Sequence, residues 1–298
     1  MIDFVFKTEP YDHQREAFIA SAEKENFALL MDMGTGKTKV DIDSMGHCYE
    51  KGLIDFAIIV APKGVIRNWV PEITTHLPER IEREVVVWKP GLTKANRKEL
   101  MDLYEHSGKM KFLLMNIEAF STKKGVDVAE FFVKKFKVFM TVDESTTIKN
   151  RQAKRTKAVC SVGRSAVMRR ILTGSPVTKS PMDLFSQMGF LSPDILGFKS
   201  YYAFQGRYAV VQRRSMGSHS FNQMLGFQKL DELTETLDEH SFRVRKEDCL
   251  DLPDKVYMRR EVELTPEQTE AYVQMKHLAL ARLDSGDLAT TQNVLTQI

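Results

Sequence analysis

The sequence is poor in everything that would staple, span or export it. Its three cysteines, Cys48, Cys160 and Cys249, are odd in number, far apart and form no CxxC pair. That argues against a disulfide framework or a zinc site and fits a reducing, cytoplasmic compartment. No apolar run approaches the roughly 18–20 residues needed to cross a bilayer. The opening MIDFVFKTEPYDHQ lacks the basic-then-apolar layout of a secretion signal. There is no internal repeat and no low-complexity tract. Neither sign of charge dominates, with 43 Lys and Arg against 40 Asp and Glu.

What is present is an ordinary globular composition, 43% hydrophobic and 28% charged over 298 residues. That is enough for one large α/β domain or two smaller ones. The charges are unevenly placed. Residues 149–170 hold eight Lys or Arg and no acid, residues 197–229 hold five and none, and residues 231–239 hold five acids and no base. Such basic runs are either solvated helix faces or contacts to nucleic-acid phosphates.

Six apolar runs read as strands: 27–32, 56–62, 83–88, 111–116, 137–144 and 169–175. They are continuously apolar, as suits strands buried on both faces of a parallel sheet. Helix-like segments lie between them at 37–51, 65–76, 94–107, 127–135 and 151–161. The alternation implies βαβ units and a doubly wound α/β sheet. After Pro181 the character changes: residues 181–240 show helical periods, aromatics and no obvious strand. The stretch LPDKVYMRREVEL then reads as a strand, followed by a helix from Thr265-Pro266.

Within that pattern, LLMDMGTGKTKV (29–40) ends a strand and opens a helix. G-x-x-x-x-G-K-[ST] would want glycine at position 31, where this chain has Met31. The context is nevertheless that of a phosphate loop. The backbone of Met33, Gly34, Thr35, Gly36, Lys37 and Thr38 would cradle phosphates, Lys37 would reach the β- and γ-phosphates, and Thr38 would hold Mg²⁺. A side chain at the strand end can point away from the nucleotide, so Met31 is tolerable. KVFMTVDEST supplies the acids such a loop needs. Asp143 would hold the metal and Glu144 would orient and deprotonate the attacking water.

These motifs resemble, in order, those of the Swi/Snf-type ATPases of superfamily two. DEST followed by TIKN is similar to DEAH followed by a basic turn, and MDMGTGKT resembles DEMGLGKT. YDHQREA resembles the adenine-reading motif, and IIVAPKGVIRNWVPEI resembles IVCPxSLLxNWxxE. LLMNIEAF resembles the segment often written TYE. LTGSPVTKSPMDLFSQMGFL resembles LTGTPIQNxxxELWxLLxFL, and FRVRKEDCLDLPDK resembles LRRxKxDVLxxLPxK. Two departures stand out: Thr146 replaces the histidine of DEAH, which in the family links the nucleotide to the third motif, and Lys179 replaces an asparagine.

The resemblance implies a RecA-like ATP-binding lobe over residues 1–191, a helical protrusion at 192–240, and a return segment at 241–298 leading towards a second RecA-like lobe. It implies ATP and Mg²⁺ as ligands, Gln14 as a base contact and double-stranded DNA as the partner. Lys63, Asn116, Thr173, Gly174 and Ser175 would line the DNA face, with Lys149, Arg151, Lys154 and Arg155 as added phosphate contacts. Arg243, Arg245 and Lys246 would brace the hinge. The arginines that complete catalysis belong to the second lobe, so this chain alone is expected to be nearly inactive. DLATTQNVLTQI reads as a helix in progress. Two other readings stay open: a nucleotide-dependent regulator that does not hydrolyse, and an RNA-directed DExH helicase. Tyr201, Tyr202 and Phe204 could stack on bases, but at helical spacing they read as core.

Overall fold

The computed structural model describes residues 2–91, 93–105, 108–216, 219–249, 258–278, 280–282 and 288–290. They fall into two compact units, Met1–Asp251 and Leu252–Ile298.

The first unit opens with α1 (Asp12–Ser21), and the expected alternation follows: β1 (Asn26–Met31), α2 (Lys37–Glu50), β2 (Phe56–Ala61), α3 (Trp69–His76), β3 (Arg83–Val87), α4 (Lys94–Asp102) and β4 (Met110–Asn116). It continues as α5 (Lys123–Lys135), β5 (Val138–Asp143), α6 (Lys154–Gly163), β6 (Met168–Leu172) and α7 (Leu184–Leu191). Helix starts are set locally: Thr93 and Thr122 accept from the backbone N–H three residues on, opening α4 and α5.

Residues 192–240 are not all helical. α8 (Tyr201–Tyr208) leads into an antiparallel hairpin of β7 (Ala209–Met216) and β8 (His219–Phe227), with a register shift between Val210 and Val211, before α9 (Leu230–Asp238). The hairpin corrects the expectation of a helical protrusion. VVQRRSM and HSFNQMLGF are separated by Gly-Ser, a two-residue hairpin signal outweighed by the neighbouring helical periods. α8 and α9 add Phe204, Tyr208 and Leu233 to the main core. Tyr202 remains exposed, so the core reading holds for Phe204 and not for Tyr202.

β9 (Ser241–Val244) then returns to the main sheet and pairs parallel with β1, Ala28 opposite Ser241 and Met31 opposite Val244. The seven parallel strands run β3-β4-β2-β5-β6-β1-β9. Alternate residues of each strand face two cores. Ala28 and Leu30 of β1 pack with Phe132, Val159 and Phe190 of α5, α6 and α7. Phe27, Leu29 and Met31 pack with Phe18, Ile42 and Trp69 of α1, α2 and α3. Met31 is fully buried, which is why the loop manages without a glycine there. The short α10 (Lys246–Cys249) ends this unit's described residues.

In the second unit, residues 258–265 form no strand. Met258 and Val262 are exposed, and among the described residues no strand pairs with this stretch. α11 (Pro266–Leu278) starts where expected: the Thr265 hydroxyl accepts from Gln268 N at 3.3 Å, while Thr265 N donates to Gln268 Oε1 at 3.1 Å. The expected terminal helix is corrected at Leu288–Thr290 (β11), which pairs antiparallel with Leu280–Arg282 (β10) and so satisfies its backbone through a ladder. The rest of that expectation, residues 287 and 291–298, and residues 252–257 of the expected strand lie outside the described residues.

Candidate nucleotide site and acidic turn

The loop between β1 and α2 is shaped by two glycines in the left-handed region, Gly34 at φ +87° and Gly36 at φ +88°. The positive φ favours glycine at 36, and a Cβ there would come within 2.3 Å of Gln14 Nε2 and push that side chain off the loop. Thr35 folds the loop back: its N–H and its hydroxyl both donate to the Asp32 carbonyl, at 3.2 and 2.8 Å. Gln14, from the first turn of α1, braces it. Its Nε2 donates to the Thr35 carbonyl at 3.2 Å, and its Oε1 accepts from Tyr11 N at 3.1 Å. The amide that the family resemblance assigns to a base is thus bonded to the loop's own backbone. Met33 and Gly34 are exposed, Lys37 is buried, and Thr38 is half-buried. A cavity of about 450 Å³ opens over the loop, lined by Tyr11, Gln14, Gly34, Gly36, Lys37 and Thr38 among others.

Across from the loop, two strands away, β5 ends in the acidic pair. Asp143 is buried and tightly held: Trp69 Nε1 donates to its Oδ2 at 3.0 Å, and Glu144 N donates to its Oδ1 at 2.9 Å. Burial raises its pKa, opposed by the Trp69 bond and the Lys37 charge. Glu144 sits at φ +49°, an uncommon conformation for a side-chain-bearing residue, at the start of a 3-10 turn spanning Ser145–Ile148. Burial raises its pKa too, with Lys37 pulling the other way. Lys37 Nζ stands 3.8 Å from Glu144 Oε1, close enough to attract and too far for a strong hydrogen bond. The structure therefore brings Lys37, Thr38, Asp143 and Glu144 to one edge of the sheet.

The third motif, expected on the DNA face, leans on the loop instead. Gly174 lies so close that an added Cβ would meet Asp32 Cα at 3.2 Å and Met31 O at 3.3 Å. Thr173 is buried, its N–H on Leu29 O at 3.2 Å and its hydroxyl accepting from Ser175 N at 3.2 Å. Only Ser175 of the three is exposed. Lys63 and Asn116 do come together, beside Arg67 and Lys89, along a cavity of about 990 Å³ near β3. Asn116 Oδ1 there is buried with no hydrogen-bond partner among the described residues.

The basic run divides. Lys154 is exposed, whereas Lys149 Nζ donates to the Thr178 hydroxyl and Arg155 Nε to the Thr147 carbonyl at 3.1 Å. The Arg151 guanidinium lies 4.2 Å from the Tyr201 ring centroid and 5.3 Å from that of Tyr202. Arg170 is wholly buried in β6, donating to the Ser21, Glu25 and Arg169 carbonyls.

Two contributors escaped the sequence reading. Trp69 lies in the NWVPE stretch, but nothing local says that its indole reaches Asp143. Lys246 was expected at a hinge. It sits over the loop instead: its N–H donates to Asp32 Oδ2 at 3.0 Å, and its Nζ lies 3.7 Å from where a Gly34 Cβ would be.

A doubly wound parallel sheet with a glycine-bent loop after an interior strand and an acidic pair at the same edge defines a RecA-like α/β lobe. The chain belongs to the SNF2-related domain family, whose model matches residues 11–298. It is 27% identical over 284 residues to the chromatin-remodeling ATPase INO80 of Neurospora crassa, covering 91% of this chain and 14% of that protein. It is 26% identical over 293 residues to the uncharacterized ATP-dependent helicase MG018 of Mycoplasma genitalium, covering 97% of this chain and 25% of that one. Its fold matches the Sulfolobus solfataricus SWI2/SNF2 ATPase core in complex with dsDNA with a TM-score of 0.63 at 22% identity, over 92% of this chain and 55% of that chain. The chain thus spans a quarter or less of the two curated relatives named. Among the described residues, no helix is long and apolar enough to cross a membrane.

Proposed function

We propose that this chain is the ATP-binding lobe of a DNA-dependent ATPase that moves along double-stranded DNA. The observation that carries the proposal is the gap between Lys37 and Glu144. A cation and a carboxylate face each other at 3.8 Å above a loop bent open by two glycines, with Asp143 clamped alongside. Lys37 would bind the outer phosphates of ATP, and the Gly34–Thr38 amides the inner ones.

The donor set also fits Mg²⁺. Among the described residues no group of three or more His, Cys, Asp or Glu could cage a metal. One hydroxyl and one carboxylate, Thr38 and Asp143, are what suits an ion that keeps waters and phosphate oxygens as its other ligands. When bound, the metal supplies charge neutralisation at the phosphates. Glu144, with its pKa raised by burial, would accept the proton of the attacking water. Residues 1–191 form the lobe in this reading, 192–240 an insertion, and 241–298 the path to a second RecA-like lobe that supplies the remaining motifs. Lys63, Asn116, Ser175 and Lys154 are the described candidates for contact with DNA phosphates.

The test is ATP turnover by a protein joining this chain to its second lobe, measured alone and with duplex DNA, single-stranded DNA or RNA. Stimulation greatest with duplex DNA supports the proposal. Binding of ATP without turnover would favour a regulator, and stimulation by RNA an RNA-directed enzyme.

A further inference from the structure

Gln187, on α7, is fully buried although it carries an amide. Such a group is expensive to bury unless its bonds are made, and here they are. Its Oε1 accepts from the Ser145 hydroxyl at 2.6 Å. Its Nε2 donates to the Pro176 carbonyl at 2.7 Å and to the Asp183 carbonyl at 2.9 Å. Two carbonyls on one side and a hydroxyl on the other fix the orientation of the amide. Ser145 is also fully buried, and it directly follows the strained Glu144. Pro176 directly follows Ser175, within two residues of the Gly174 that rests on the phosphate loop. One side chain therefore ties the turn after the water-activating carboxylate to the loop of the third motif.

The neighbours of Gln187 complete a clamp. The Ser186 hydroxyl is shared between the Ile148 and Lys149 carbonyls at 2.7 and 2.8 Å, holding the far end of the same acidic turn. Asp183 Oδ2 accepts from Thr178 N, Thr178 Oγ1 and Lys179 N, holding the far end of the third-motif loop. The first turns of α7 thus hold both loops at both ends, and Gln187 is the bond that spans them. Laid against the patterns quoted above, Gln187 stands at a leucine and Ser145 at the alanine of DEAH, so both partners of the bond are polar where the pattern is apolar. The adjacent Thr146 stands where the pattern has its histidine.

We infer that Gln187 is a positioning residue that couples the acidic turn to the third motif through Ser145 and Pro176. The inference rests on the nucleotide-site reading above. In this chain, a change in the acidic turn on nucleotide binding reaches residues 173–180 through the amide of Gln187.

The experiment follows amide hydrogen exchange of residues 173–183 in the full chain, with and without ATP and Mg²⁺. Nucleotide affinity and thermal unfolding are measured alongside. In the parent, ATP should slow exchange there by about fivefold or more, the lower range of coupling between sites. Gln187→Leu takes the amide away from the buried Ser145 hydroxyl and from the Pro176 and Asp183 carbonyls and costs stability, so Ser145→Ala/Gln187→Leu is the companion variant, which removes both ends of the Ser145 bond. The double variant should fold and bind ATP within about twofold of the parent, yet show no ATP-dependent slowing at 173–183. Undiminished slowing in the folded double variant overturns the inference. No ATP binding by the parent would overturn the nucleotide-site reading itself, and the inference with it, before any variant is examined.

Discussion

Trp69 donates its indole N–H to Asp143 Oδ2 at 3.0 Å, joining the start of a helix to the end of a strand 74 positions away. The bond orients a buried carboxylate that burial alone would push towards protonation. Trp69→Phe keeps most of the ring's packing and removes the donor. Nucleotide affinity with Mg²⁺ should weaken by about tenfold or more, the range of a hydrogen bond to a charged group. Affinity without Mg²⁺ should hardly change. Equal loss in both titrations would assign Trp69 to packing alone.

Lys37→Ala should lower nucleotide affinity at least about a hundredfold, or ~2.7 kcal/mol, with the fold retained. Calorimetric titration with ATP checks it. Parent-like affinity would mean that the phosphates are held elsewhere.

Glu144→Gln keeps the shape of the side chain at φ +49° and loses the basicity. In a two-lobed protein the variant should bind ATP normally while single-turnover hydrolysis falls by much more than tenfold, the equivalent of ~1.4 kcal/mol. A smaller loss would remove Glu144 from the role of base.

The basic residues after the acidic turn should not behave alike. Lys154→Gln should weaken DNA binding about equally for all sequences and reduce the salt slope by about one. Arg151→Gln should instead lower the melting temperature, because its guanidinium stacks over Tyr201 and Tyr202. A salt slope untouched by Lys154→Gln would make that lysine a solvated charge.

Asp41 carries a pH dependence. It is fully buried, and its pKa is pushed up to about 7 by burial, against the pull of the Thr141 hydroxyl and of Arg170. A folded pKa above the unfolded value means that the folded chain binds more protons between the two. Stability therefore falls as pH rises from about 4 to about 7 and levels off beyond, by at most about 1.4 kcal/mol per pH unit. Asp41→Asn keeps an acceptor for Thr141 and deletes the titration. Its melting temperature relative to the parent should be higher at pH 8 than at pH 5. An equal difference at both would show that Asp41 stays charged throughout.

The sheet and the loop were legible because their signals are local. Phe56–Ala61 is apolar at every position, and Gly34, Gly36 and Lys37 sit within four residues of one another. The connections between motifs were not legible, because they join residues distant in the chain. Ser145 and Gln187 are 42 positions apart, and neither residue type announces a partner. Arg170 was read within a basic run, yet it closes three backbone carbonyls inside the fold. Charge counted along a chain cannot tell a solvated arginine from a buried one. The hairpin was obscured because its strands alternate only loosely, with a register shift near the start of β7 and the end of β8.

The return of β9 beside β1 anchors the insertion. Val244 O accepts from Asp32 N at 3.0 Å, and Lys246 N grips the Asp32 carboxylate, so the strand that follows α9 is pinned to the first residue of the phosphate loop. β1 is thus held on both sides, by β6 and by β9, and β9 connects the hairpin and α9 to Asp32. The insertion is thereby tethered one peptide bond beyond Met31, at the start of the loop that carries Lys37.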